Sequence, residues 1–447
     1  MITPRPPVAL YVHLPFCVAR CPYCDFVVYA GGDARGPRAR TERLYAAVER
    51  ELQLRADALD ERFGPTNGTA GPTAGASGRA PRVPSPTPVA ARRPLRTVYF
   101  GGGTPSLVPV EWLERLMATI RAGFGVAADA EVTLEANPGA DERGDAAAFR
   151  RAGVTRISFG AQSMDRAELR RIGRRHSPED VAAAAAEARA AGIASINLDL
   201  LYDIPGQSVA AWQTSLEAAL DLGPDHLSLY ALTLDDPDEE GITGLEGDHL
   251  PTPPGARRWR DRAREDQDDD RAADQYRRAT DLLAERGWRG YEISNWARPG
   301  HESRHNLVYW QREPYEAAGP GAHAFDGVTR RWNFAAMKPY VAALLPGARA
   351  PRDPDRDDDR GQVSPGLPPG GRETLDPDTA AAEQLILALR LDRGVAESAA
   401  AGPRFAEVRP WAESAGLVES VTLDGERRVR LTTRGRLLSN ELFARLL

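Results

Sequence analysis

Lysine is nearly missing from this chain: of 57 basic residues only Lys338 is a lysine, and the rest are arginine. With the abundance of alanine, that bias reads as coding composition, and no function follows from it. Basic blocks clear of acidic neighbours are also missing and the net charge is −7, so a nucleic-acid surface has no electrostatic support. No apolar run approaches the roughly 20 residues needed to span a bilayer, which excludes an integral membrane protein. Residues 1–17 lack the basic-then-apolar order of a secretory signal, so a cytoplasmic location is expected. Peripheral contact with a membrane surface stays compatible with this. Cysteine is scarce, and all three cysteines fall between positions 17 and 24. An odd, clustered set makes a poor disulfide framework and points to metal or redox chemistry.

What is present describes a soluble globular protein. Hydrophobic residues make up 42% and charged residues 27% of 447 positions, and the mean hydropathy is −0.44. At about 150 residues per domain, two or three domains are expected. Three stretches combine Pro, Gly and small or charged residues without apolar periodicity and read as linkers or insertions: 64–94, the acidic 235–270, and 345–373. Between them, 1–234 reads as a core domain, 271–344 as an extension rich in aromatics and histidine, and 374–447 as a C-terminal domain.

Within the core, β-rich runs at 8–13, 95–100, 131–135, 156–159, 193–201 and 226–232 alternate with helical patterns at about 41–62, 110–122, 141–152, 178–191 and 208–222. Six strands separated by helices predict an α/β fold with a parallel sheet, open or rolled into a barrel, and ligands at the carboxyl ends of the strands. The C-terminal segment has helices, a hairpin across Asp424-Gly425 and a last helix after Gly435, a pattern like a small winged helix. Glu383, Glu407, Glu413 and Glu441 argue for docking rather than DNA binding there.

The residues with chemistry follow the strand ends. Cys17-x-x-x-Cys21-x-x-Cys24 comes directly after the first strand, and three thiolates can hold three corners of a four-iron cluster with one iron open. A zinc site completed by His13 is the alternative, but no second ligand pair appears. Phe100-Gly-Gly-Gly-Thr-Pro105 ends the second strand, where glycines permit a close backbone approach to a ligand. Glu135, Gln162 and Asp199 recur at later strand ends and converge on one rim, where they can bond hydroxyl or amino groups. Arg174 can pair bidentately with a carboxylate.

The cysteine loop, with Tyr11-Val-His-Leu-Pro-Phe before it, resembles the radical S-adenosylmethionine superfamily. That resemblance implies a partial (β/α)6 radical-SAM barrel with an α+β extension and a small C-terminal winged-helix-like domain. It also implies a [4Fe-4S] cluster on Cys17, Cys21 and Cys24 whose open iron chelates S-adenosylmethionine. By motif position it places Tyr11, Gly103, Thr104, Glu135, Gln162, Arg174, Asp199 and Ala231 around that cofactor. Residues 199–207, 290–300 and 431–441 are similar to the oxygen-independent coproporphyrinogen III oxidases and the HemW-type heme chaperones.

Two positions separate these branches. The oxidases typically carry a fourth cysteine where this chain has Phe26, and His305-Asn306-Leu-Val-Tyr309-Trp310 matches a chaperone motif. The resemblance therefore implies a heme carrier that serves apo-hemoproteins, respiratory enzymes among them, with His305 as a heme ligand and no catalytic residue assigned. His301 and His323 are competing ligands. The alternative is a decarboxylase of coproporphyrinogen III. An RNA-modifying radical enzyme would predict a basic appended domain, and none is seen. One departure is Tyr230-Ala-Leu-Thr-Leu-Asp235, where the family often has Glu.

Overall fold

A computed structural model of the chain describes residues 3–31, 38–66, 92–244, 246–345 and 366–447. Six parallel strands form its centre: β1 (Ala9–Leu14), β2 (Leu95–Gly102), β3 (Val126–Ala136), β4 (Arg156–Gln162), β5 (Ser195–Tyr202) and β6 (His226–Ala231). Six further strands extend the sheet: β7 (Arg289–Gly290), β8 (Asn295–Ala297), β9 (Tyr315–Ala318), β10 (His323–Phe325), β11 (Thr329–Asn333) and β12 (Gly370–Thr374). The order is β12-β11-β10-β9-β1-β2-β3-β4-β5-β6-β8-β7, so the two ends do not pair with each other. These six strands make the α/β parallel sheet expected of a partial barrel. The one addition to its parallel part is β9, which aligns with β1.

Strand alternation gives the sheet two unlike faces. Leu10, Val12, Val98, Phe100, Leu134, Ile157, Phe159, Leu198 and Leu229 are buried under the helices, among them Arg38–Phe63, Val110–Phe124 and Val209–Asp221. The opposite face carries Tyr11, Tyr99, Glu135, Arg156, Ser158, Asn197, Asp199 and His226. A parallel sheet ordinarily reads as apolar on both faces, so this polar face marks the functional side.

Composition underestimates two of the expected linkers. In 235–270 the helix Pro254–Arg264 forms, Arg257 pairs with Asp236 and Asp238, and Arg260 is buried. Arginine donating to backbone carbonyls holds this acidic stretch in place, and hydropathy has no means of registering that. In 345–373, the residues from Gly370 form the edge strand β12, paired to β11. The ends of 64–94 are pinned by a bridge between Thr66 and Arg92, while residues 67–91, like 346–365, lie outside the described residues. From Pro377 onward, helices and the strands β13 (Val395–Ala396), β14 (Val418–Leu423) and β15 (Glu426–Leu431) enclose a separate core of Leu389, Phe405, Val429 and Leu442. Asp424 and Gly425, both at positive φ, turn the hairpin. Among the described residues no helix is long and apolar enough to cross a membrane.

The extension is joined to the barrel through Glu51. Its carboxylate is buried and accepts from Arg55 (2.7 Å), Asn333 (2.9 Å), Tyr340 (2.6 Å) and the Gly319 amide (2.8 Å). Removing the charge leaves buried Arg55 with Asn333 at 3.0 Å and the more distant Glu316 at 3.9 Å, and taking one partner from a buried ion pair ordinarily costs about 3–5 kcal/mol. Glu51→Ala is therefore expected to lower stability by an amount of that order in chemical denaturation. A change within measurement error would refute the role given to this joint.

Candidate cofactor site

The cysteine loop leaves β1 through a short parallel pairing of Phe16–Cys17 with Tyr29–Ala30. Thr104 Oγ1 donates to Cys17 Sγ at 3.3 Å, and Arg174 Nη1 donates to Cys21 Sγ at 3.6 Å. Asn137 ties the two donors together: its Oδ1 accepts from Arg174 Nη2 at 2.6 Å, and its Nδ2 donates to Thr104 Oγ1 at 3.1 Å. Arg260 holds the loop from the other side, donating to the carbonyls of Pro22 and Cys24 at 3.0 Å each. Without metal, burial pushes the Cys17 thiol up to about 11 and the Cys24 thiol up to about 12, with the neighbouring sulfurs adding to both. A coordinating metal reverses that order and takes the thiols as thiolates.

The donor set fits an iron-sulfur cluster better than one zinc ion. Three sulfurs are available, two receive hydrogen bonds that favour thiolate, and no group of three such ligands converges on a single-ion position among the described residues. His13 does not complete a zinc site, because Nδ1 meets the Tyr11 hydroxyl at 3.0 Å and Nε2 meets the Val27 carbonyl at 2.8 Å.

The glycine turn has a physical reason within the chain itself. A Cβ on Gly103 would lie 2.6 Å from the Phe16 carbonyl oxygen and 2.7 Å from the Pro15 carbonyl carbon. One on Gly102, at φ +113°, would strike the His13 ring at 2.5 Å. What the glycines admit closely is therefore the stem of the cysteine loop. The Gly103 amide donates to Leu14 O at 2.9 Å and the Thr104 amide to Phe16 O at 2.7 Å.

Glu135 and Asp199 share the polar face of the sheet, on β3 and β5. Glu135 accepts from the Tyr99 hydroxyl at 2.8 Å and the Gly102 amide at 3.0 Å, and burial with the charge of Asp199 pushes its carboxyl up to about 7 against those bonds. Asp199 accepts from Asn197 at 2.7 Å and Ser158 at 3.2 Å, and burial raises it as well. Gln162 ends β4 at φ +65°, a strained conformation for a side chain that long, beside Arg174. Arg174 is half-buried, yet Tyr23, Cys21 and Glu142 together outweigh the desolvation and raise it above the usual guanidinium value. It bonds Asn137 and the Gly160 carbonyl rather than forming the bidentate carboxylate pair suggested by its type. Tyr11 stacks on Tyr99 at 6.0 Å, and Ala231 ends β6 opposite Tyr202.

His305 is placed elsewhere. It lies with Thr97 and Glu131 towards the strand starts, away from the cysteines, and is 1% exposed. Nδ1 meets Thr97 Oγ1 and Nε2 meets Tyr309 Oη, both at 2.8 Å, and burial pushes the ring down to about 3. The motif folds as the helix Arg304–Trp310, whose i, i+4 pair His305 and Tyr309 turns inward against Tyr99 and Tyr315. Iron at either nitrogen would displace the bond made there and would have to reach a side chain that is sealed from solvent, so the geometry gives the heme-ligand expectation for His305 no support. Asn137 and Arg260 are the site residues that sequence reasoning missed. Asn137 had a signal, two positions beyond Glu135 in Leu-Glu-Ala-Asn-Pro, whereas Arg260 had none.

Residues 89–219 match the family model of the Radical SAM superfamily. A heme chaperone HemW from Mycobacterium tuberculosis is 37% identical over 99% of this chain and 96% of its own length. The protein of that name from Escherichia coli is 34% identical over 71% of this chain and 70% of its own. Among solved structures, coproporphyrinogen III oxidase (HemN) from Escherichia coli, a radical SAM enzyme, superposes with a TM-score of 0.71 at 22% identity, covering 99% of this chain and 91% of that one. That last likeness concerns the fold alone.

The raised carboxyl of Glu135 has a pH signature. Folding takes up a proton between the ordinary value of 4.5 and about 7, so stability present at low pH is lost as pH rises through that window. Glu135→Gln removes the titration. In denaturation of the metal-free chain across pH 4 to 8 (roughly spanning both values), the variant should show a shallower slope and greater stability at the alkaline end. Asp199 acts in the same direction, so the slope shrinks without vanishing. An unchanged slope would refute the assignment.

Proposed function

The chain belongs to the heme chaperone HemW family of the radical SAM superfamily, and from that premise we propose that it binds heme and delivers it to apo-hemoproteins in the cytoplasm or at the membrane surface. In this reading it carries a [4Fe-4S] cluster and binds S-adenosylmethionine. The observation that carries the proposal is the match to the mycobacterial heme chaperone along nearly the whole of both chains.

Cys17, Cys21 and Cys24 would hold the cluster. When bound, a three-cysteine cluster supplies an open iron for the amino and carboxylate groups of S-adenosylmethionine and an electron for its sulfonium. This chain's own residues do the positioning. Thr104 and Arg174 donate to the sulfurs, Asn137 fixes those donors relative to each other, and Arg260 closes the loop over them. Tyr11, Gly103, Thr104, Glu135, Gln162, Arg174, Asp199 and Ala231 would surround S-adenosylmethionine. Glu135 and Asp199 are half-buried carboxylates with raised pKa values, and a cationic ligand beside them is stabilised as it draws them to the charged form.

Phe26 supports the chaperone over the decarboxylase. It occupies the place of the oxidase-like fourth cysteine and stands 62% exposed, so it offers an apolar surface beside the cluster loop in place of a fourth sulfur. After anaerobic reconstitution the chain should take up about four irons, and Ala at Cys17, Cys21 or Cys24 should abolish the cluster spectrum. With reductant, S-adenosylmethionine and coproporphyrinogen III the loaded protein should form no protoporphyrinogen IX. Catalytic formation of that product would replace the chaperone reading with the oxidase, and zinc without iron uptake would remove the cluster.

A further inference from the structure

Delivery of heme requires a ligand that the macrocycle can reach, and the seven histidines are not equal in this respect. His13, His176, His226 and His305 are buried, and each has at least one ring nitrogen engaged with a backbone or side-chain partner. His301 is half-buried and has no orienting acceptor among the described residues. His249 and His323 differ from all of these because they share one carboxylate. Asp248 Oδ1 meets His249 Nδ1 at 3.0 Å, and its Oδ2 meets His323 Nε2 at 2.9 Å.

The two imidazoles are not equivalent towards a flat macrocycle. His323 is left with Nδ1, the nitrogen crowded by its own Cβ, and one face of its ring is stacked on Trp332 at 5.9 Å and 19°. His249 is left with Nε2, the nitrogen farthest from the backbone, with no partner among the described residues. Its Nδ1–H points at a carboxylate, the arrangement that fixes the tautomer of a metal-binding imidazole and strengthens it as a donor. Asp248 is in turn held from the far side by the His323–Trp332 stack, so the orienting group is itself oriented.

The surroundings suit heme, which combines an iron, an apolar disc and two carboxylates. The His249 loop touches the cysteine loop, since Arg20 Nη1 donates to the Pro251 carbonyl at 3.3 Å and its Nη2 to the Cys24 carbonyl at 3.3 Å. Arg20 forms no ion pair among the described residues, so its charge, held in place by these two carbonyls, is not neutralised by a carboxylate. The Asp248 hydrogen bond is the main cause that raises the His249 imidazole, the nearby charges of Asp25 and Glu240 add to it, and Phe26 follows Asp25 as the most exposed aromatic of the described chain.

We propose that His249, oriented by Asp248, is the axial ligand through which this chain takes up heme, with iron bound at Nε2 and the macrocycle lying towards Phe26 and Arg20. The proposal rests on the heme-chaperone reading and names the site of that function.

Hemin titration of the cluster-loaded full chain, followed by absorption and electron paramagnetic resonance, tests it. His249→Ala should weaken hemin at least about tenfold and shift the Soret band, and Asp248→Asn should weaken it by roughly tenfold with the band retained. His305→Gln should keep both the affinity and the spectrum of the parent. His249→Gly with added imidazole should recover the parent's ligand-field spectrum, which a merely structural role would not allow. Parental binding by His249→Ala, loss of the parental spectrum in His305→Gln, or a His249→Gly variant that imidazole does not rescue would each overturn the assignment. A parent chain that binds no hemin would instead overturn the chaperone reading on which it rests.

Discussion

A backbone contact that leaves no space for a side chain fixes the whole cofactor rim. The amides of Gly103 and Thr104 donate to the carbonyls of Leu14 and Phe16, and the gap between these strand exits is too small for a Cβ at 103. The contact sets where β1 ends and the cysteine loop begins. It puts the Thr104 hydroxyl on Cys17 and, through Asn137, aligns Arg174 with Cys21. The same turn offers the Gly102 amide to Glu135, so the first carboxylate of the rim is placed by the element that places the sulfurs. Geometry of this kind resides in the backbone and is therefore rigid.

Behind the rim, the polar face of the barrel is filled with hydrogen-bonded groups. Asn197 links Asp199, Ser158 and His226, and His226 links onward to the Tyr291 hydroxyl. Arg156, buried beneath them, lies close enough to Glu135 and Asp199 for its positive charge to favour their ionised forms. His305 and Tyr309 close the far end of this face. A ligand entering at the strand ends thus meets half-buried carboxylates, while the opposite end is sealed by neutral imidazole and phenol. The segment after β6 folds back on the cysteine loop through Arg260 and Arg20, and it brings His249 to the same side.

The barrel was legible in the sequence because parallel strands and their helices have distinct hydrophobic periods, and all six expected strands occur. The cysteine loop and the strand-end carboxylates were legible because short motifs preserve spacing along one strand exit. What the sequence hid were contacts between distant segments. The acidic stretch 235–270 has the composition of a linker, and only Arg260 against the carbonyls of Pro22 and Cys24 makes it a clamp. His305 looked like a ligand because it lies in a motif with aromatics, yet helix phase turns it into the barrel. His249 and Asp248 gave no signal because their partner His323 is on a strand more than seventy positions away in sequence.

The proposed delivery requires that bound heme be passed on by contact with an acceptor and not simply released. Hemin-loaded, cluster-containing protein mixed with the apo-form of a respiratory heme protein from the same cell would show this directly in the rate of heme transfer. The account predicts a rate that saturates with acceptor concentration and exceeds the rate of loss to an inert heme scavenger. A transfer rate equal to that loss at every acceptor concentration would contradict it.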